Sequence, residues 1–298
     1  MNLLCPSCKS LLDKQLFCSD CDVEYKSSSN PIPVLIDWDK SILNRHDINF
    51  DIKDTLVPRS NEKLRQSIKR WLRPNVFKRP IDKNDFLERV NHPKQVLIIG
   101  SGTIGYGLNW LYEIEDIEVC GLDIYYSDTV DLIADTHNIP IESNSFDLVI
   151  IQAVLEHVLS PIIVVDEIYR VLKPDGFVYA ETPFLQAVHE GPYDFTRYTH
   201  SGHRFLFKNF LEVDSGVVQG VSTSFIWAAS SLAQGLTRNT SFSKVISMLL
   251  SPIVFLDMII PMKYHIIGGN GFYFVGRKAK SDFTVKKVVE YFYGKGEK

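Results

Sequence analysis

Residues 134–184 read ADTHNIPIESNSFDLVIIQAVLEHVLSPIIVVDEIYRVLKPDGFVYAETPF, and the periodicity of this stretch decides the fold class. Phe146 to Ile151 is a short apolar run of strand length. Ser160 and Pro161 then open a helix with Val165, Ile168, Tyr169 and Leu172 on its apolar face, and Gly176 follows its end. Phe177 to Ala180 is a second strand-like run. Working outward, Gln95 to Ile99 and Glu118 to Leu122 repeat the pattern upstream. Strands alternating with helices mark βα units around a parallel sheet, so the chain is expected to be α/β, a Rossmann-like sheet with helices on both faces. Beyond Arg204, Trp227 to Leu236 and Phe242 to Ile260 look helical and very apolar, before GFYFVGRK at Gly271 to Lys278 returns to a strand.

The 298 residues include 45% hydrophobic and 23% charged positions, an ordinary globular balance. A formal net charge of -4 lacks the basic excess of a duplex-binding domain. The N-terminal MNLLCPSCKS lacks the pattern of a secretory signal, which predicts a cytoplasmic protein. In a reducing compartment clustered thiols point to metal rather than disulfides, and four of the five cysteines fall within the first 21 residues. Cys120 reads as a small buried hydrophobe.

Cys5-Pro-Ser-Cys8 and Cys18-Ser-Asp-Cys21 are two knuckles, each placing two thiolates on one side of a tight turn. Four sulfurs so arranged suit tetrahedral Zn(2+) and leave no position open for a catalytic water. Together with NPIPVLID, these stretches resemble the zinc-ribbon family that includes the small activator subunit of tRNA and protein methyltransferases. The resemblance implies a structural or docking module. The expected organisation is a zinc ribbon over 1–39, a linker with a basic helix over 40–93, a catalytic domain over 94–280 with an apolar helical insertion at about 215–268, and a C-terminal tail over 281–298. Within the linker, RSNEKLRQSIKRWLRPNVFKRP holds eight Lys or Arg against one acid.

After Gln95 to Ile99 comes Gly100-Ser101-Gly102-Thr103-Ile104-Gly105, where glycines let a ligand approach the backbone at the carboxyl end of a strand. This turn also fits the dinucleotide fingerprint, with Asp123 as a ribose-binding acid, and so leaves an NAD(P)-dependent oxidoreductase open. The fifty residues quoted above resemble class I S-adenosylmethionine-dependent methyltransferases of the ubiquinone- and menaquinone-biosynthesis type. The features that carry this are Asp135 before an Ile-Pro turn, Ser-Phe-Asp entering a strand, Leu-Glu-His-Val after it, and Arg-Val-Leu-Lys-Pro-Asp-Gly. By that resemblance Gly100, Ser101 and Gly102 line the methionine part of the cofactor. Asp123, with Ile124 beside it, takes the ribose hydroxyls. Asp135 accepts from the adenine amino group, Thr136 offers backbone to the ring, and Gln152 lies beside the methionine moiety. Two positions depart from the family: Ile98 replaces a frequent acid and Ile104 a frequent glycine.

His189, Glu190, Asp194, Arg197, Tyr198, His200 and His203 crowd the stretch beyond the strand that ends near Ala180. His189 is the expected general base for a hydroxyl acceptor, with His157 second, and Arg197 is expected to pair with Asp194 or an anionic acceptor group. A small molecule, a glycan or a lipid-linked glycan is favoured over nucleic acid. A non-catalytic cofactor-binding docking partner is the third reading. The apolar run Ser241 to Pro261, broken by Lys244, Pro252 and Asp257, is expected to form a lid, a homodimer contact or a peripheral contact with the inner membrane face, without crossing the bilayer.

Overall fold

The structure is a computed structural model describing residues 1–25, 32–43, 76–77, 81, 83–189, 191–281 and 283–296. The basic linker helix expected within 59–80 lies outside these residues apart from 76–77, as does Glu190. The chain divides into two compact units. The first holds 1–58, 81–179 and 277–279, and the second holds 59–80, 180–276 and 280–298.

In the first unit, β1 (Phe17–Cys18) and β2 (Val23–Glu24) form a hairpin with Cys18 opposite Val23. The remaining strands are β3 (Val34–Leu35), β4 (Gln95–Ile99), β5 (Glu118–Asp123), β6 (Leu132–Ala134), β7 (Phe146–Gln152) and the start of β8 (Leu172–Pro183). They lie in the order β3-β6-β5-β4-β7-β8, and every pair from β3 through β7 is parallel. Val96 to Ile99 and Leu148 to Ile151 are buried without alternation, as central parallel strands covered on both faces must be. Between β7 and β8, α2 (Pro161–Val171) buries Val164, Val165, Ile168 and Val171. Val165 and Ile168 are thus buried as expected and Val164 and Val171 complete the stripe, whereas Tyr169 is half-buried and the buried Leu172 already begins β8. Ser160 makes no side-chain cap; its backbone N–H instead donates to His137 Nε2 at 3.1 Å. A short helix, α1 (Lys83–Arg89), precedes β4 and buries Phe86 edge-on against Tyr179.

Two findings change how the N-terminal segment reads. Val34–Leu35, within the stretch assigned to the zinc ribbon, is an edge strand of the main sheet, with Val34 opposite Ile133 and Leu35 opposite Ala134. Ile36, Leu43, Val130 and Ile133 form the core beneath it, and Ile124 packs there too. The cysteine segment is bonded to the loop before β7. Leu4 N–H donates to Pro140 O at 2.9 Å, Glu142 N–H to Asn2 O at 3.2 Å, and Asn138 Nδ2 to Pro6 O at 2.6 Å.

In the second unit β8 runs on beside β10 (Gly271–Arg277), which pairs with β9 (Leu211–Gln219), so the sheet counts eight strands. Phe184 N–H donates to Asn270 O at 2.8 Å as these strands pass. The other elements are α3 (His200–Leu206), α4 (Val221–Thr237), α5 (Thr240–Leu250), a 3₁₀ helix at Ser251–Met258, α6 (Met262–Gly268) and α7 (Lys287–Gly296). Because β9 extends to Gln219, the helical insertion begins at Val221 rather than near 215. The segment read as a tail contains α7, whose Tyr291 hydroxyl bonds Ser215 Oγ at 2.7 Å and Glu212 Oε1 at 3.1 Å.

Candidate functional site

Strand order reverses at β4, with β5 on one side and β7 on the other, and open α/β sheets bind ligands outside the carboxyl ends of strands at such a point. Gly100 to Gly102, Asp123 and Gln152 all stand there. Gly100 has φ +80°, and a Cβ at that position would fall 2.3 Å from Val154 Cγ2, so this turn requires glycine. Asp123 holds the turn in place: its Oδ2 accepts from Gly102 N–H at 2.6 Å, and its Oδ1 from Ile124 N–H at 2.7 Å and Tyr125 N–H at 3.1 Å. Ser101 Oγ and Gln152 Oε1 are buried with no hydrogen-bond partner, while Gln152 Nε2 donates to Tyr106 O at 3.3 Å. Ile98, Thr103, Gly105, Leu108 and Gln152 line a small cavity at this turn. Ile98 is 3% exposed and takes the place of the expected acid as plain core.

Asp135 and Thr136 lie at the end of β6, both buried. Asp135 caps the 3₁₀ turn Thr136–Asn138, with Oδ1 accepting from His137 N–H at 2.9 Å and pairing with His137 Nδ1 at 2.7 Å. Its Oδ2 accepts from the Ser41 hydroxyl. Burial alone would raise the Asp135 carboxyl, but the bonds from His137 and Ser41 outweigh it and hold it below its ordinary value. Because His137 Nε2 accepts from Ser160, its proton sits on Nδ1, facing Asp135. Sequence reasoning missed this Ser41–Asp135–His137–Ser160 chain, because Ser41 lies 94 positions away from Asp135. It also passed over Glu156, which is 1% exposed with His157 Nε2 3.7 Å from its carboxylate.

The four cysteines converge, with all four sulfurs within 4.8 Å of one another. Cys5 and Cys21 are 3.8 Å apart and Cys8 and Cys18 are 3.5 Å apart. Sulfurs bound to one tetrahedral zinc at about 2.3 Å sit about 3.8 Å from each other, so donor set and spacing both fit that ion. The Ser10 side chain and amide pull the Cys8 thiol down to about 6, whereas the neighbouring Cys8 sulfur and burial push Cys21 up to about 12. Each thiolate formed makes the next more costly unless a cation shares the site. The Tyr25 hydroxyl lies 3.2 Å from Cys5 Sγ.

In the second unit, the loop after β8 folds around Asp194, whose side chain is 1% exposed. Arg197 grips Asp194 with both terminal nitrogens, one bond measuring 2.7 Å, and also donates to Thr196 O at 2.8 Å and Ala187 O at 3.3 Å. His189 N–H donates to Asp194 Oδ2 at 2.7 Å. The Arg197 guanidinium, and then the His189 amide, hold the Asp194 carboxyl at about 2 against its burial. His189 Nδ1 lies 3.2 Å from Ala187 O and 3.5 Å from both Asp194 Oδ2 and Arg197 Nη2; the nearest of these, a carbonyl, can only accept, which favours the proton on Nδ1 and the lone pair on Nε2. Its ring stands 6.2 Å from that of Trp227 on α4.

The remaining histidines of the cluster are core residues. His200 and His203 are 3% and 2% exposed; His200 stacks on Tyr291, and His203 sits edge-on to Phe207. Burial, and then neighbouring His200, push His203 down to about 3, so it stays neutral. Arg204, 4% exposed, donates to Glu212 at 2.8 Å and Phe207 O at 3.0 Å, with its guanidinium 3.8 Å from the Phe283 ring centre.

Residues 97–180 match the methyltransferase domain family. No curated protein matches the chain. Among solved structures, it is similar to a putative sarcosine dimethylglycine methyltransferase from Galdieria sulphuraria, with 15% identity, TM-score 0.42, and 74% of this chain and 99% of that one covered. It is similar to the complex between the Haloferax volcanii Trm112 methyltransferase activator and the putative methyltransferase, with 17% identity, TM-score 0.43, and coverage of 74% and 94%. It is also similar to Haemonchus contortus phosphoethanolamine N-methyltransferase 2 in complex with S-adenosyl-L-methionine, with 17% identity, TM-score 0.41, and coverage of 74% and 59%. The family match lies on the sheet whose order reverses at β4, so this segment has a Rossmann-like fold and is similar to a methyltransferase domain.

Proposed function

We propose that the chain transfers a methyl group from S-adenosylmethionine to an acceptor hydroxyl, with the cofactor held at the carboxyl ends of β4, β5 and β7. The observation that carries this is the glycine turn braced on Asp123 beside two buried polar atoms without partners, Ser101 Oγ and Gln152 Oε1, inside a methyltransferase-family segment. Buried polar groups are normally paired, and such exceptions mark places that a ligand completes. When bound, S-adenosylmethionine supplies an electrophilic methyl on a sulfonium.

In this reading Gly100 and Gly102 let the backbone approach the cofactor, and Gln152 and Ser101 gain hydrogen bonds to its methionine part. Asp123 accepts from the ribose diol, its orientation already set by three backbone N–H groups. Asp135, expected to accept from the adenine amino group, already has Oδ2 engaged by Ser41 and Oδ1 by His137, and in this reading it instead fixes the turn from which Thr136 offers backbone to the adenine. The nicotinamide alternative is not favoured, because a pyrophosphate is best held at the N-terminus of a helix after the glycine turn. The chain there forms only a five-residue 3₁₀ turn, Asn109–Glu113.

His189 is the proposed base, with Ala187 O and Asp194 setting its tautomer so that Nε2 accepts the acceptor's proton. Arg197, spent on Asp194 and two carbonyls, is a positioning residue for that loop. Zinc on Cys5, Cys8, Cys18 and Cys21 holds the N-terminal segment, which docks on the loop before β7. The favoured acceptors are a small molecule, a glycan or a lipid-linked glycan, met in the cytoplasm.

Calorimetry with S-adenosylhomocysteine and NAD tests the cofactor. The expected result is binding of the first only, with Asp123→Ala weakening it by roughly 1.5 to 3 kcal/mol. Preference for NAD, or unchanged affinity in the variant, contradicts the assignment.

A further inference from the structure

The helices after β9 bury several polar side chains alongside Ile226, Val254 and Ile266 and leave many apolar ones outside. In a water-facing helix, apolar residues turn inward and polar ones outward. Here Ser222, Thr223, Ser247, Ser251 and Asp257 are all less than 9% exposed. Asp257 Oδ1 accepts from Ser222 N–H at 3.0 Å, Val221 N–H donates to His265 Nδ1 at 3.3 Å, and His265 Nε2–H donates to Ile260 O at 3.1 Å. The Ser224 hydroxyl donates to Gly268 O at 2.8 Å. Many outward positions are apolar: Phe242, Val245 and Leu249 recur at one-turn spacing along α5, and Phe255, Met258 and Ile259 continue the exposed apolar surface. Leu249 is 66% and Ile259 79% exposed. Only 22% of the most apolar window of Thr240–Met258 is buried.

We propose that this surface, Val221 to Gly268, is a seat for an anionic phospholipid leaflet, lying in the interface with its apolar side chains at the acyl boundary. Its charges select that partner. Residues 221–268 carry Arg238, Lys244 and Lys263, all exposed, and one acid, Asp257, which is buried and bonded inward. An exposed apolar surface whose segment carries exposed cations and no exposed acid complements anionic headgroups. A two-fold contact between copies would set this same surface against itself, bringing like charges together with no exposed acid to pair them.

Thr240–Met258 is long and apolar enough, by length and composition, to cross a membrane. The interfacial position is favoured because α5 gives way to a 3₁₀ helix at Ser251–Met258 and the Asp257 side chain ties that segment to the start of α4. The inference rests on no assignment of the methyl-transfer site.

The test is co-sedimentation of the full chain with phosphatidylcholine vesicles, with and without phosphatidylglycerol, at low and high salt. Binding is expected only to the anionic vesicles, weakening with salt and released by alkaline carbonate. Lys244→Gln and Lys263→Gln are each expected to weaken it about fivefold. Leu249→Ser should weaken it roughly tenfold or more. All three are exposed positions, and circular dichroism checks that each variant is folded; if Leu249→Ser is not, the two lysine variants decide. Equal recovery in the supernatant with and without anionic vesicles overturns the proposal, as does binding indifferent to salt and to the lysines. Resistance to carbonate extraction would assign a spanning helix, and a stable dimer in light scattering that Leu249→Ser dissociates would assign the surface to a second copy.

Discussion

Replacing Arg197 by alanine separates a loop-holding role from an acceptor-binding one. The Asp194 carboxyl beneath it is 1% exposed and is held at about 2 instead of 3.8, with Arg197 as the first cause. A depression of that size corresponds to roughly 2 kcal/mol of native-state stability. The sign follows from the direction: a carboxyl depressed on folding stabilises the native state above its unfolded pKa, and that contribution is lost as the pH falls through about 2. Arg197→Ala is thus expected to cost about 2 kcal/mol at neutral pH, a difference that shrinks once the pH drops below about 4. Arg197→Lys should recover part of it, since an ammonium supplies the charge without the two-pronged grip. Urea unfolding of the three proteins from about pH 7 to about pH 3 measures this, and hydrogen exchange at the His189 amide, a donor to Asp194, localises it. A loss below about 0.5 kcal/mol, the level of an ordinary surface substitution, would refute the reasoning. So would a loss that stays constant with pH.

Two further outcomes are expected. Elemental analysis should find one zinc per chain, and Cys18→Ser should lose it and leave the N-terminal segment open to proteolysis, because a metal-bound unit of this size has little core of its own; retained metal in the variant removes Cys18 from the ligand set. Once an acceptor is identified, His189→Ala should lower turnover by roughly 10² to 10⁴ while cofactor affinity stays within about twofold, and undiminished turnover would leave His189 as a loop residue.

What could be read from the chain alone was whatever repeats over a few residues. Gln95–Ile99 forms β4 at the bounds of its apolar run, and Pro161 opens α2, because strand and helix declare themselves through local periodicity and backbone restriction. The knuckle cysteines and the glycine turn were legible for the same reason, since spacing within one turn is set by covalent geometry. Tertiary structure decided the rest. His189, His200 and His203 look alike in sequence, yet two are buried among aromatic rings and one lies on a loop held by an Asp–Arg pair. Val34–Leu35 became an edge of the main sheet because a strand's partner is chosen by distant residues, here Ile133 and Ala134. Ser222 of α4, Ser247 of α5 and Asp257 turned inward against the usual hydrophobic pattern. Whether a polar group is a tool or a strut depends on its desolvation and on which distant groups meet it, and neither exists until the chain has folded.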